Sequence, residues 1–257
     1  MAEGSGGVKS AGRAIEVIEF VAQAGTAGFS EILEGLGIPR SSGHGLIRTL
    51  LASGWLDRDA GGQRYRLGLR AWQVGQSYEG NLALVERAKP VMDDLSAETG
   101  ETVQLARLDG VENVYIAISL SANPMRMAST VGMRLHAHAT GIGKALLSTL
   151  DPEEAEHRLS GVVLPRLTER TVTDVPDLLR LTERARMLGY AIDDEEFVAG
   201  CRCVAVVLTS EHDTGIASAL SITAPTFRTD SRWPQSLVPA LQRAVRRIRQ
   251  DLSLPVD

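Results

Sequence analysis

The stretch IPRSSGHGLIRTLLASGWL, residues Ile38–Leu56, has two unlike halves. In the second half Leu46, Ile47, Leu50 and Leu51 recur at three- and four-residue intervals, the spacing of one helix face. The first half is Pro39, Arg40, Ser41, Ser42, Gly43, His44 and Gly45. Each glycine there costs a helix roughly 1 kcal/mol relative to alanine. Pro39 suits the first turn, where its missing N–H costs nothing. Upstream, FSEILEGLG predicts a short helix capped by Ser30 and stopped by Gly37, so that a few residues around Gly37 join two helices at helix-turn-helix spacing. Before it, AGRAIEVIEFVAQAG predicts a helix with Ala14, Ile15, Val17, Ile18 and Val21 facing inward, stopped by Gly25. Downstream, WLDRD and QRYRLG flank the turn Ala60-Gly61-Gly62 and predict a hairpin that carries Arg58, Arg64 and Arg66.

A weak, small-residue helix front has a use in this arrangement. The N-terminal residues of the second helix contact base edges while its C-terminal part packs into the domain. Ser41, Ser42, Gly43 and Gly45 would let the backbone enter a major groove closely, with hydroxyls and the helix start available to phosphates. Arg40, His44 and Arg48 are the side chains with reach, and the hairpin becomes a wing with Arg64 or Arg66 at the DNA backbone or minor groove. From residue 40 to 70 six arginines face only Asp57 and Asp59, although the whole chain carries a net charge of −5. Such a balance excludes a protein that coats nucleic acid over its whole surface and leaves one local basic patch. The alternative is a three-helix and hairpin module that binds protein.

At 257 residues the chain has room for two modest domains, and its 44% hydrophobic and 23% charged residues are an ordinary globular balance. No apolar run approaches the roughly 20 residues of a membrane span, and MAEGSGGVKSAGR lacks a signal-peptide core. Cys201 and Cys203 are too few for a disulfide framework, so a reducing cytoplasm is expected, with no membrane partner. Residues 1–7 are Gly- and Ser-rich and expected to be unstructured.

From 68 to 99 the pattern is helical with a break near Glu79-Gly80-Asn81. LALVERAKPVMDDLSAETG places Leu84, Val85, Ala88, Val91, Met92 and Leu95 on one side, a face suited to bridging domains or pairing with a second copy, with a kink expected at Pro90. TVQLARL and NVYIAISL read as strands around Asp109-Gly110-Val111-Glu112. The stretch MRMASTVGMRLHAHATGIGKALLSTL reads as strand, loop and a helix that opens at Thr140-Gly141. Helices follow at Pro152–Gly161 and Asp174–Gly189, CRCVAVVLTS and GIASALSITA pair across Glu211-His212-Asp213-Thr214, and an amphipathic helix runs from about Pro234 to Leu252. Sequence-adjacent strands with helices between them predict an antiparallel sheet with helices on its faces.

In this order the features resemble the IclR family of bacterial transcription regulators over nearly the whole chain. SAGRAIEVIEF, IPRSSGHGLIRTLLASGWL and YRLG resemble that family's winged helix-turn-helix, VGMRLHAHATGIGKALL its lead into the effector-site helix, and GYAIDDEEFVAGCRCVAVVL, residues 189–208, its most diagnostic signature. The resemblance implies an α+β chain: a winged helix-turn-helix (1–80), a linker helix (81–99) and a GAF-like α/β effector-binding domain (100–257). It also implies a dimer or tetramer that binds operator DNA, more often as a repressor, and senses a small, often acidic metabolite without a cofactor. The family's pocket then falls on Gly141 and Ile142, whose N–H groups open a helix, on Asp193 and Cys203, and on Ser221 and Thr223, which share one strand face. Met127 and Leu135 would supply apolar walls. The extra Cys201, and Val206-Val207 where the family often has proline nearby, depart from the pattern.

Other readings compete for the same residues. Cys201 and Cys203 with His136 and His138 could suggest zinc, but a C-x-C within one strand lacks the spacing of a structural site. Cys203, His138 (or His136) and Asp193 could form a hydrolase triad or a metal sensor, without any nucleophile elbow to support it. TGIGKA is an incomplete phosphate loop. Asp193-Asp194-Glu195-Glu196 reads either as a solvated loop or as the segment that closes the pocket.

Overall fold

The computed structural model describes residues 8–78 and 82–255, and the chain falls into two units, Met1–Gly80 and Asn81–Asp257. The segment 1–7 and the helix break at Glu79–Asn81 lie outside the described residues.

In the first unit, α1 (Lys9–Ala24) leads through β1 (Ala27–Gly28) into α2 (Phe29–Leu36) and α3 (Arg40–Ala52). Next come β2 (Leu56–Arg58), β3 (Arg64–Leu67) and α4 (Leu69–Gln76), and the three strands form an antiparallel sheet in the order β1-β3-β2. Val17, Val21, Ile32, Leu33, Ile47 and Leu50 are among the side chains that make the core. Ile15 is 57% exposed, and Phe20 rather than Ile15 packs against that core. Ser30 does not cap α2. Gly28 is the cap residue, and its N–H donates to Glu31 Oε2 at 3.0 Å, so the acceptor comes from inside the helix. Pro39 likewise stands just before α3, where its carbonyl accepts from the N–H groups of Ser42 and Gly43 at 3.0 and 2.9 Å. Gly37 ends α2 in the left-handed conformation, φ 59°, which glycine adopts without strain.

The two glycines of α3 serve different ends. A Cβ on Gly43 would lie 2.5 Å from Leu33 Cδ2, so its smallness is what lets α2 and α3 pack. A Cβ on Gly45 would meet nothing within 4 Å. The expectation that both glycines clear the way for DNA is corrected for Gly43, which is buried against Leu33.

The second unit opens with α5 (Leu82–Thr99), then β4 (Thr102–Asp109), β5 (Glu112–Ser119), β6 (Arg134–His136), α6 (Gly141–Leu147), α7 (Pro152–Leu159) and α8 (Val175–Leu188). It continues with β7 (Ala191–Asp194), β8 (Cys201–Thr209), the short α9 (Glu211–Thr214), β9 (Ser218–Pro225) and α10 (Val238–Asp251). The sheet is antiparallel throughout, in the order β6-β5-β4-β9-β8-β7. On one face α5 and α10 bury Val91, Met92, Leu241 and Ile248 with Val103, Leu105, Val204 and Leu220. On the other, Ile142, Ala145 and Leu146 of α6 lie among Ala106, Ala191, Ala205 and Ala219, whose small size lets the helix sit close to the sheet. The apolar face of α5 is therefore covered within its own domain: Ala88, Val91, Met92 and Leu95 are buried, with Leu84 and Val85 packed beside them. The part of that face from Ala88 to Leu95 is thus occupied within the domain, while Leu82 at its start is 51% exposed. α10 starts at Val238, later than the amphipathic pattern suggests.

Candidate functional site

On α3, Arg40, Ser41, Ser42, His44 and Arg48 are all exposed. The His44 ring stacks on Phe29 at 4.3 Å between centroids, and Arg40 Nη2 donates to Ser30 Oγ at 3.4 Å, so both reach from anchored positions. On β3 the two wing arginines differ. Arg64 donates to both carboxylate oxygens of Glu31, at 3.0 and 2.8 Å, and to the Thr26 carbonyl at 3.0 Å. That partnership holds the Glu31 carboxyl below its usual range. Arg66 is exposed, with its side chain free of any such bond among the described residues. Arg64 thus ties the wing to α2, and Arg66 is the wing cation left for a partner.

In the second unit the strand register gathers the expected pocket residues. Asp193 faces Cys203 across β7–β8, and Cys203 faces Thr223 across β8–β9. Ser221 lies opposite Gln104 of β4. A Cβ on Gly141 would lie 3.1 Å from the Asp193 nitrogen and 3.2 Å from Cys203 Sγ, which places the start of α6 directly over this row. Ile142, Asp193, Cys203, Ser221 and Thr223 are all at most 7% exposed. Leu135 packs in the apolar cluster beside Ile142. Met127 is half-buried between β5 and β6 and is not part of that cluster.

Gln104 is the residue that motif reasoning misses. Its Oε1 accepts from Ser221 Oγ at 3.0 Å and from Thr223 Oγ1 at 3.1 Å, while its fully buried Nε2 has no partner. Exchanging the amide's oxygen and nitrogen would leave the other end unmatched instead. An unpaired buried amide costs about 1–3 kcal/mol. The only signal in sequence was an amide at an inward position of the apolar strand TVQLARL.

Around this row the acidic run is ordered rather than solvated. Asp193 Oδ1 accepts from the N–H of Glu196 at 2.6 Å and of Phe197 at 3.3 Å. Burial pushes the Asp193 carboxyl up to about 7, against the opposing pull of the Lys144 cation. Glu196 is itself buried and pairs with Lys144 of α6 at 2.5 Å, and Asp194 bridges Arg170 and Arg202 at 2.8 and 2.7 Å. Thr140 caps α6: its Oγ1 accepts from Gly143 N at 3.1 Å and donates to Asn113 Oδ1 at 2.8 Å.

The catalytic alternative finds little support in this geometry. Burial pushes the Cys203 thiol up to about 12, far from a reactive thiolate. His138 Nε2 meets the Pro165 carbonyl at 3.0 Å, and Asp193 is engaged with backbone. Among the described residues no group of three or more His, Cys, Asp or Glu could hold a metal ion, and no helix is long and apolar enough to cross a membrane.

A winged helix-turn-helix, together with a sheet domain that buries a partly unmatched polar row, defines a ligand-responsive DNA-binding regulator. Comparison with known proteins agrees. Residues 10–60 match the family model of the IclR helix-turn-helix domain, and residues 76–250 that of the bacterial transcriptional regulator IclR C-terminal domain. The chain is 32% identical over 249 residues to the HTH-type transcriptional regulator XynR of Escherichia coli, covering 96% of this chain and 98% of the relative. It is 34% identical over 229 residues to the HTH-type transcriptional repressor AllR of Salmonella typhi, covering 88% and 84%. The crystal structure of an IclR homolog complexed with 4-hydroxybenzoate, from Microbacterium hydrocarbonoxydans, superposes with a TM-score of 0.82 at 28% identity, over 95% of this chain and 99% of the other. The chain belongs to the IclR family of transcriptional regulators.

Proposed function

We propose that the protein is a repressor that binds its operator as a dimer or a tetramer and releases it on binding a small carboxylic acid. The division is a DNA-binding domain over residues 1–80, a linker helix over 81–99 and an effector domain over 100–257. The DNA face consists of Arg40, Ser41, Ser42, His44 and Arg48 on α3 with Arg66 on the wing. Arg64 holds the wing in place through Glu31. A single winged helix makes too few contacts for a specific operator, which is the physical reason for self-association. The exposed Leu69 and Trp72 of α4, a helix with no buried residue, supply an apolar surface for it.

The observation that carries the effector assignment is the orphaned amide of Gln104 among Ser221, Thr223 and Cys203. A carboxylate or carbonyl on the ligand would accept from that amide, and the N–H groups of Gly141 and Ile142 stand at the start of α6 nearby. With only seven residues in α6, these direct donors matter more than the helix dipole. Met127 and Leu135 remain candidate walls for the ligand's apolar part. The relative that holds 4-hydroxybenzoate shows the class of molecule to try first.

The test is a thermal-shift and fluorescence-anisotropy series with 4-hydroxybenzoate and a panel of small organic acids, using operator DNA selected from random sequence. An acid that raises the melting temperature should weaken operator binding. Gln104→Leu should abolish that response and leave ligand-free operator binding intact. Full ligand response in Gln104→Leu would refute the site.

A further inference from the structure

β7 pairs only with residues 202–205 of β8, so the rest of β8, to Thr209, has no strand on its outer side among the described residues. A half-open cavity of about 500 Å³ lies along this bare edge, between the end of α6, α8 and α10. Its floor is apolar, with Ala145, Ala185, Val206, Val207 and Val245. Its cations are Arg186, Arg246 and Arg249, and among the described residues no carboxylate lines it.

Two of these arginines are fixed by backbone carbonyls. Arg186 donates to the Ser148 carbonyl at 3.1 Å and the Leu150 carbonyl at 2.7 Å, and Arg249 donates to the Leu208 carbonyl at 2.8 Å. Each also has one carboxylate, Glu183 and Asp213 respectively, neither of which lines the cavity. Arg246 is different. Its neighbours on α10 are matched, Arg243 with Glu98 at 2.7 Å and Arg247 with Asp94 at 2.8 Å, whereas Arg246 has no ion-pair partner among the described residues. Ser148, Thr149, Tyr190 and Ser210 complete the wall.

We propose that this cavity is a second ligand site, separate from the Gln104 row, that takes an amphipathic anion: a carboxylate on a compact aromatic or branched aliphatic body. The carboxylate meets Arg246, with Arg186 and Arg249 held beside it, and the body covers the valines and alanines. The volume lies within the roughly 300–1,000 Å³ of small-molecule sites. Both proposed sites touch α6, one at Gly141 and the other at Ala145 and Ser148, so occupation of either biases the position of the same helix.

Calorimetric titration of the full chain with benzoate, inorganic phosphate and benzyl alcohol separates charge from apolar body. Benzoate is expected to bind at least tenfold more tightly than either of the others. Arg246→Ala should weaken one benzoate component about tenfold without changing the melting temperature, because the side chain is exposed and unpaired, and Ser221→Ala should leave that component intact. Arg246→Gln provides the same test should the alanine variant fold poorly. The proposal is overturned by absence of benzoate binding in the millimolar range, by an isotherm that Arg246→Ala leaves unchanged, or by phosphate binding as tightly as benzoate. Loss confined to Ser221→Ala would place all the benzoate at the Gln104 row, which refutes this second site and leaves the effector assignment standing.

Discussion

Replacing Gly43 and, separately, Gly45 by alanine puts the same methyl group on one helix in two different surroundings. Each substitution gains up to about 1 kcal/mol of helix propensity. At Gly45 nothing opposes the gain, since the new Cβ would meet no atom within 4 Å. At Gly43 the Cβ would sit 2.5 and 2.8 Å from the two Cδ atoms of Leu33 and 3.2 Å from its Cγ. Leu33 is only 4% exposed and cannot simply turn away into solvent. Overpacking of this kind costs roughly 1–3 kcal/mol. Because the propensity gain is common to both variants, the difference between them isolates the steric cost, and Gly43→Ala should be about 1–3 kcal/mol less stable than Gly45→Ala. Urea unfolding followed by circular dichroism measures it directly. Operator binding provides the second readout: on the proposed DNA face, where the front of α3 enters the major groove closely, Gly45→Ala should weaken binding while raising stability. Equal stability of the two variants would refute the packing assigned to Gly43.

Arg48→Ala should weaken operator binding by roughly 1–3 kcal/mol in fluorescence anisotropy while leaving the melting temperature unchanged. Arg64→Ala should do the reverse, lowering the melting temperature while operator affinity, measured well below it, stays close to that of the parent; a selective loss of affinity instead would return Arg64 to the DNA face. Lys144→Met leaves Glu196 buried without its cation and should cost about 3–5 kcal/mol in denaturant unfolding, of which Lys144→Met/Glu196→Leu should recover a part. Asp193 titrates near 7 when folded and near 3.8 when unfolded, so between these values the native state holds the extra proton. Its contribution to stability therefore falls as pH rises, by about 1 kcal/mol per pH unit, and levels off above about 7. Asp193→Asn should flatten that part of the stability–pH curve, and an unaltered slope would contradict the burial described for this carboxyl.

The hairpins β4–β5 and β8–β9 could be read from alternation and turn residues because both are local in sequence. β7 could not, since four residues with two aspartates look like a loop until they pair with Arg202–Ala205 of β8, and the burial of Glu196 just after them rests on Lys144, 52 positions earlier. The α5 pattern identified an apolar face correctly, but periodicity does not say what covers it. Gly43 and Gly45 are equivalent as letters, and only the position of Leu33 separates them. Asp193, Cys203, Ser221 and Thr223 could be gathered by resemblance and strand alternation. Gln104 could not, because an amide carries no charge and belongs to no motif, and its significance lies in a hydrogen bond it fails to make.

Ser221 and Gln104 are wholly inaccessible to solvent, and Gly141 rests against β7 and β8. On the proposed assignment a ligand would enter by lifting α6, and the measured affinity would equal the intrinsic affinity multiplied by the fraction of molecules that are open. If one molecule in a hundred is open, the effector concentration needed rises a hundredfold. Gene expression would then stay silent through small fluctuations of the metabolite and respond only to real accumulation. Substitutions in the alanine bed beneath α6, which touch neither ligand nor DNA, would reset that threshold.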